Sequence, residues 1–219
     1  MMIGFTLEEA FEKIGISKYT EITIRSCYER EDRKYHNLAH IRSMLSHVPR
    51  DLPDVEGVLE AILFHDLVYL PEPSPKGKNE ALSVAEYLLY SMRSVWEHPN
   101  PFANFDLIHE IIVIEAITAT SRHDEDQEHL HLISKYVLDL DLWCFADREE
   151  LSKASKLISE EFAPHVDRQT FIKGRVAFLN TLLARKQIFY VMKDWEAVAR
   201  QNIQDEIALL TSEEESGHV

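Results

Sequence analysis

Val55-Glu56-Gly57-Val58-Leu59-Glu60-Ala61-Ile62-Leu63-Phe64-His65-Asp66 decides how the chain folds. Val58, Leu59, Ile62 and Leu63 recur at the spacing of one helical face, and Asp54 stands before them as a candidate cap. The spacing predicts a helix over 55–66 with a buried stripe and a polar carboxyl end. That end, His65-Asp66, is a poor way to build a core. Imidazole and carboxylate side by side suit a borderline or hard divalent cation.

The pair alone is a weak signal in a chain with 11 His and 38 acidic residues. It gains from its company: Tyr35-His36-Asn37-Leu38-Ala39-His40 upstream, then Thr120-Ser121-Arg122-His123 and Asp139-Leu140-Asp141-Leu142 downstream. His36 and His40 are four apart, so on a helix they share a face. His40, His65, Asp66 and Asp141 supply two nitrogens and two oxygens. Such a set leaves positions open for water and substrate on a six-coordinate Mn, Fe, Co, Ni or Mg ion. It lacks the thiolates of a structural zinc site.

The surrounding sequence is helical in period. Thr6-Leu7-Glu8-Glu9 has the form of a capping box, and the short helix after it stops near Gly15. A helix follows over about 18–30, then a charged connection over 29–34 that reads as solvated. Asn37 caps a third helix carrying Ile41, Met44, Leu45 and Val48. Pro71, Pro73, Pro75 and Gly77 make 70–79 an irregular loop beside the His-Asp pair. Helical spacing resumes over about 79–95. The run Ile111-Ile112-Val113-Ile114 has strand propensity, but Leu107, Ile111, Ile114 and Thr118 keep a helical period, so 107–118 reads as a buried helix. Asp124 to Asp126 is a candidate cap for the next helix, through Leu130, Ile133, Val137 and Leu140. Two amphipathic helices and a final one over 195–210 complete the chain, and 211–219 reads as a frayed end. The fold class is all-α: one domain over 1–219, with a core over about 18–145 and a helical extension over about 147–210.

Composition narrows the function. The net charge of −15 argues against a grip on duplex nucleic acid, which needs a clustered basic surface. No apolar run reaches the roughly 18–20 residues that span a bilayer, so no membrane partner is expected. The first residues lack a basic and apolar signal, and the two cysteines, Cys27 and Cys144, read as buried free thiols of a reduced, cytoplasmic protein.

With these residues in view, the chain resembles the His-Asp (HD) superfamily of metal-dependent phosphohydrolases. Within it, the chain is most similar to small bacterial proteins described as predicted metal-dependent phosphohydrolases. The resemblance runs from about Tyr28 to Glu206. It rests on Tyr35-His36-Asn37-x-x-His40, Phe64-His65-Asp66-x-Val68-Tyr69, Asn79-Glu80-x-x-Ser83, Thr120-x-x-His123, Asp139-x-Asp141-Leu142, Gly174-Arg175 and Arg185-x-x-Ile188-Phe189-Tyr190. Phe145-Ala146 stands where the pattern usually has Leu-Gly, and Lys78 stands where an acid often precedes the Asn-Glu.

The resemblance implies an HD-type helical bundle with additional C-terminal helices, with His40, His65, Asp66 and Asp141 as ligands of a divalent metal. Asp141 is preferred to Asp139 because the superfamily's last ligand tends to be the second acid. On a helix the two point about 200° apart, so one of them reaches the ion. The implied reaction is hydrolysis of a small phosphate ester, such as a nucleotide, by attack of metal-bound water.

Glu80 is the candidate general base or water-positioning carboxylate, with a first-turn acid as the bland alternative. His123 is placed beside the site as a second catalytic candidate. His36, Asn79, Lys78 and Arg175 are candidate substrate contacts. Against them stand an orienting or surface role for His36, a helix cap for Asn79, a solvated lysine for Lys78 and a surface ion pair for Arg175. His109 and His131 read as structural or surface residues. Two other functions stay open: a dinuclear iron oxygenase of the HD type, drawing on His36 and His123, and a non-catalytic nucleotide-sensing module. A homo-oligomer is compatible with all three.

Overall fold

Short polar side chains open most of the helices because they satisfy amide donors that have no partner within the first turn. Thr6 and Glu9 bond reciprocally, Thr6 N to Glu9 Oε2 at 2.8 Å and Glu9 N to Thr6 Oγ1 at 3.1 Å. Ser17, Asn37, Asp106, Asp147 and Asp167 accept first-turn amides in the same way. The computed structural model describes residues 4–70, 75–97 and 106–216. Among these the fold is all-α, with no strand. The helices are α1 Leu7–Lys13, α2 Lys18–Tyr28, α3 Leu38–Ser46, α4 Val55–Phe64, α5 Lys78–Glu97, α6 Leu107–Ala119, α7 Leu132–Asp141, α8 Arg148–Phe162, α9 Arg168–Ala184 and α10 Glu196–Ser216.

Two large apolar clusters organise them, beside a small third one of Ala119, Leu130, Leu138 and Tyr190. The first joins α1 to α7 around Tyr28, Ile41, Leu59, Leu63, Ile117 and Val137. It takes in Phe5, Leu7 and Phe11, so the first helix packs with the rest of that core. The second is built from 142–210, around Phe145, Leu179, Leu182, Phe189 and Ile203. Met192 and Trp195 pack against both. Among the described residues no helix is long and apolar enough to cross a membrane.

Several boundaries differ from the sequence reading, each for a local reason. Helix α4 ends at Phe64, because Leu67 N turns back to Phe64 O at 3.1 Å and tightens the last turn. Asp54 precedes α4 with a left-handed backbone (φ 56°) and caps nothing; its carboxylate faces His109 Nδ1 at 3.5 Å. The 107–118 stretch is helical as expected but not buried all round: Val113, Ala116 and Ile117 face the core, while Leu107, Ile111 and Thr118 of the expected stripe are exposed. The following helix starts only at Leu132, where His131, not an acid of 124–126, accepts from Ile133 N. Helix α5 begins at Lys78, and residues 71–74 of the expected loop lie outside the described residues. Helix α10 continues to Ser216 rather than fraying from 211, and 217–219 lie outside the described residues. The 29–34 connection is not solvated throughout: Arg33 is buried.

Between α4 and α6, Glu60, off the apolar stripe of α4, is nonetheless buried, and His109 Nε2 lies 2.6 Å from its Oε2. The Tyr87 hydroxyl donates to the same oxygen at 3.3 Å. The Glu60 hydrogen bond outweighs burial and raises the His109 pKa from 6.5 to about 9. A folded-state value above the unfolded one stabilises fully below about pH 6.5, and the contribution is lost as pH rises through 9. The melting temperature is therefore expected to fall between those limits, and to fall less in His109→Gln. Parallel pH profiles for the two proteins would refute the assignment.

Candidate metal centre

The ends of α3, α4 and α7 converge where the two apolar clusters meet. His40 lies in the first turn of α3, His65 and Asp66 follow the last turn of α4, and Asp141 ends α7. His40, His65 and Asp66 are buried and offer ligand atoms within 4.8 Å of one another, so the group could hold a metal ion. Asp141 joins them: its Oδ1 is 3.1 Å from His40 Nε2 and 3.7 Å from His65 Nε2. Asp66 Oδ2 is 3.1 Å from His65 Nε2. Two ligands at about 2.1 Å from one ion sit roughly 3.0–3.4 Å apart in octahedral or tetrahedral geometry. Nε2 of both His40 and His65 is buried without a hydrogen-bond partner, although carboxylate oxygens lie so near. Spacing without hydrogen-bond geometry is what donors aimed at a common centre show. The mixed N/O donor set fits a divalent cation.

His65 is oriented from behind. His65 Nδ1 lies 2.9 Å from Ile62 O, which fixes Nε2 as the atom turned inward. Burial disfavours its charged form, but the charge and proximity of Asp66, with Asp141, raise its pKa to about 9. Burial likewise opposes ionisation of Asp66, and the His65 charge overcomes it, holding the carboxyl below the usual range. Burial also opposes ionisation of Asp141, and His123 with Nε2 2.7 Å from Asp141 Oδ2 is the main group that keeps it low. Imidazole and carboxylate thus hold each other in the charged form in the absence of a cation, and an ion bound here would displace the imidazole protons.

Asp139 points away from this centre. Its carboxylate is fully buried and accepts from the backbone amides of Tyr190, Val191 and Met192 at 2.8, 2.6 and 2.8 Å. Of the paired acids, the second one therefore faces the histidines.

The other candidates fall into two groups. His36, His123 and Arg175 line one cavity with Asp141. His36 Nδ1 is 2.5 Å from Glu161 Oε1 and its ring stacks on Tyr69 at 4.2 Å. Burial works against protonation of His36, but Glu161, Asp66 and Asp141 together raise its pKa. Arg175 pairs with Glu206, Nε to Oε1 at 3.0 Å. Glu80 is half-buried in the first turn of α5; burial, aided by the Asp66 charge, raises its pKa. Asn79 does not cap α5 but donates to Leu70 O at 3.2 Å, holding the chain just after the His-Asp pair. Lys78 is exposed at the first position of α5. Lys76 is engaged with Asp124 at 2.6 Å and Glu125 at 3.1 Å.

Two supporting residues escaped the sequence reading. Arg33 donates to the carbonyls of Asp66 and Leu67, both at 2.8 Å, and to that of His36 at 3.3 Å. It satisfies carbonyls left open past the end of α4 and joins both ligand segments. Glu161 of α8 accepts from the amides of Tyr35 at 2.9 Å and His36 at 3.2 Å as well as meeting the His36 ring. Arg185, near the end of α9, donates to His123 O at 2.9 Å and so fixes that loop.

No family model, curated protein or solved structure matches the chain.

Proposed function

We propose that the chain is a metal-dependent phosphohydrolase of the His-Asp kind, acting on a small phosphate ester. The observation that carries this reading is the convergence of His40, His65, Asp66 and Asp141, with two buried imidazole nitrogens aimed inward and unpartnered. A divalent cation bound by these residues would supply Lewis acidity, lowering the pKa of water and neutralising charge on a phosphoryl oxygen. The protein's own groups handle the protons and the geometry. Water oxygen bonds to phosphorus as the ester P–O bond breaks. The water proton passes to Glu80, whose raised pKa makes it a better acceptor than an ordinary surface carboxylate. His123 holds Asp141 in place and lines the cavity, and the proton that Glu80 accepts is the one returned to the leaving alkoxide.

The test is phosphate release from a panel of nucleotides and simple phosphate esters. The protein is stripped of metal and reloaded separately with Mn, Mg, Co, Ni and Fe. Metal-dependent release is the expected outcome; silence across the panel with metal bound overturns the reading. A dinuclear iron oxygenase draws on one observation, the buried Nδ1 of His123 without a hydrogen-bond partner. Two irons per chain with a visible absorption band in the oxidised state would favour it.

A further inference from the structure

The cavity that opens beside the candidate ligands has a volume of about 250 Å³. Asp141, His36 and His123 are among its polar lining. Its walls are largely aromatic and aliphatic, with Tyr35, Phe145, Phe162 and Phe178 among them. Arg175 is the one lysine or arginine in this lining. It is already neutralised: Nε and Nη2 reach the two carboxylate oxygens of Glu206 at 3.0 and 3.3 Å. Ser155 Oγ donates to the same Glu206 at 2.7 Å, which fixes the carboxylate toward the arginine. The guanidinium lies 5.5 Å from the ring of Phe145 and 5.8 Å from that of Phe178. Arg33, also near the ligands, is spent on backbone carbonyls.

We infer that this cavity selects phosphate monoesters with a compact, flat, apolar leaving group and disfavours nucleoside di- and triphosphates. The reaction rests on the phosphohydrolase reading above; the ligand class rests on the cavity. Each added phosphoryl group brings about one to two negative charges. The ligand centre can compensate the first of them. A second, where it lies against the aromatic walls and an arginine whose charge is already met, loses hydration without gaining a partner, which is disfavoured. A ring stacked on these walls gains apolar and aromatic contact instead. Pockets for drug-sized ligands measure roughly 300–1,000 Å³, so the leaving group here is about one ring in size.

The experiment measures binding and turnover separately on protein loaded with magnesium in excess. Calorimetry compares phenylphosphonate, methylphosphonate and the β,γ-methylene analogue of ATP. Phenylphosphonate is expected to bind at least tenfold more tightly than either of the others. Phe178→Ala, on the half-buried outer wall, is expected to remove the preference over methylphosphonate. Equal binding of the two phosphonates, tighter binding of the triphosphate analogue, or an unchanged preference in Phe178→Ala overturns the inference. Hydrolysis of phenyl phosphate is followed in parallel. If the binding order holds and phenyl phosphate stays intact, the hydrolase reading falls while the ligand class stands. If phosphate is released but the triphosphate analogue binds best, the reverse is true.

Discussion

Asp66→Ala and Asp141→Asn are each expected to lose divalent-metal binding, by more than the roughly 10–100-fold that outer partners of a metal site cost. The reason is geometric. Asp66 Oδ2 and Asp141 Oδ1 each stand 3.1 Å from an imidazole nitrogen that has no hydrogen-bond partner. Asp66→Ala removes its oxygen outright, and Asp141→Asn removes the negative charge and one of the two carboxylate oxygens, so either change leaves a weakened donor set around two inward nitrogens. The fold should survive the loss of Asp66, because its backbone carbonyl stays bonded to Arg33 at 2.8 Å. His123→Ala makes a graded comparison. His123 touches Asp141 Oδ2 at 2.7 Å, so its removal should weaken binding only within the 10–100-fold range. Manganese titration by calorimetry, with circular dichroism as the check on folding, reads all three. Wild-type affinity in Asp66→Ala would remove these residues from the metal site altogether.

The placement of the candidate residues was legible because helix patterning sets them near element ends: His40 in the first turn of α3, His65 and Asp66 just past α4, and Asp141 at the last residue of α7. Leu59, Ile62 and Leu63 place α4 in the core, and whatever follows Phe64 must emerge where the core ends. Periodicity also separated Asp139 from Asp141, since residues two apart on a helix face nearly opposite ways. The caps Thr6 and Asn37 were legible for a similar reason: their partners lie two or three residues away.

What stayed hidden depends on partners far off in the chain. Arg33 sits in the run Glu29-Arg30-Glu31-Asp32-Arg33-Lys34 that reads as surface, and nothing local shows that it reaches carbonyls 33 and 34 residues away. Glu161 follows Glu160 on an amphipathic helix, yet only Glu161 is buried, against an amide 126 residues distant. Glu60 falls among polar positions of α4 by period but is covered by Tyr87 and His109. His131 caps α7 with an imidazole, a residue type the usual cap preferences omit. Local chemistry was readable from local sequence; buried charges recruited by distant backbone were not.

Asp139→Ala is expected to destabilise the fold by about 3–5 kcal/mol, because it strands three amides that a buried carboxylate now satisfies. At roughly 2–4 °C per kcal/mol for a chain of this size, the melting temperature should fall by about 10 °C. The segment released is 190–192, and Met192 packs against both apolar clusters, so the loss reaches the seam where the ligand helices meet. Metal affinity of the folded fraction should nonetheless stay near wild type, since Asp139 faces away from the histidines. Asp141→Asn should do the opposite, losing metal while costing little stability. The two acids stand two residues apart on α7, with the same charge and the same helix end. Any general effect of removing a carboxylate there would move both variants alike. A crossed outcome, stability lost in one and metal lost in the other, can arise only if the helix presents one acid to backbone amides and the other to a cation. A wild-type melting temperature in Asp139→Ala, or lost metal binding in that variant while it remains folded, would refute this division of labour.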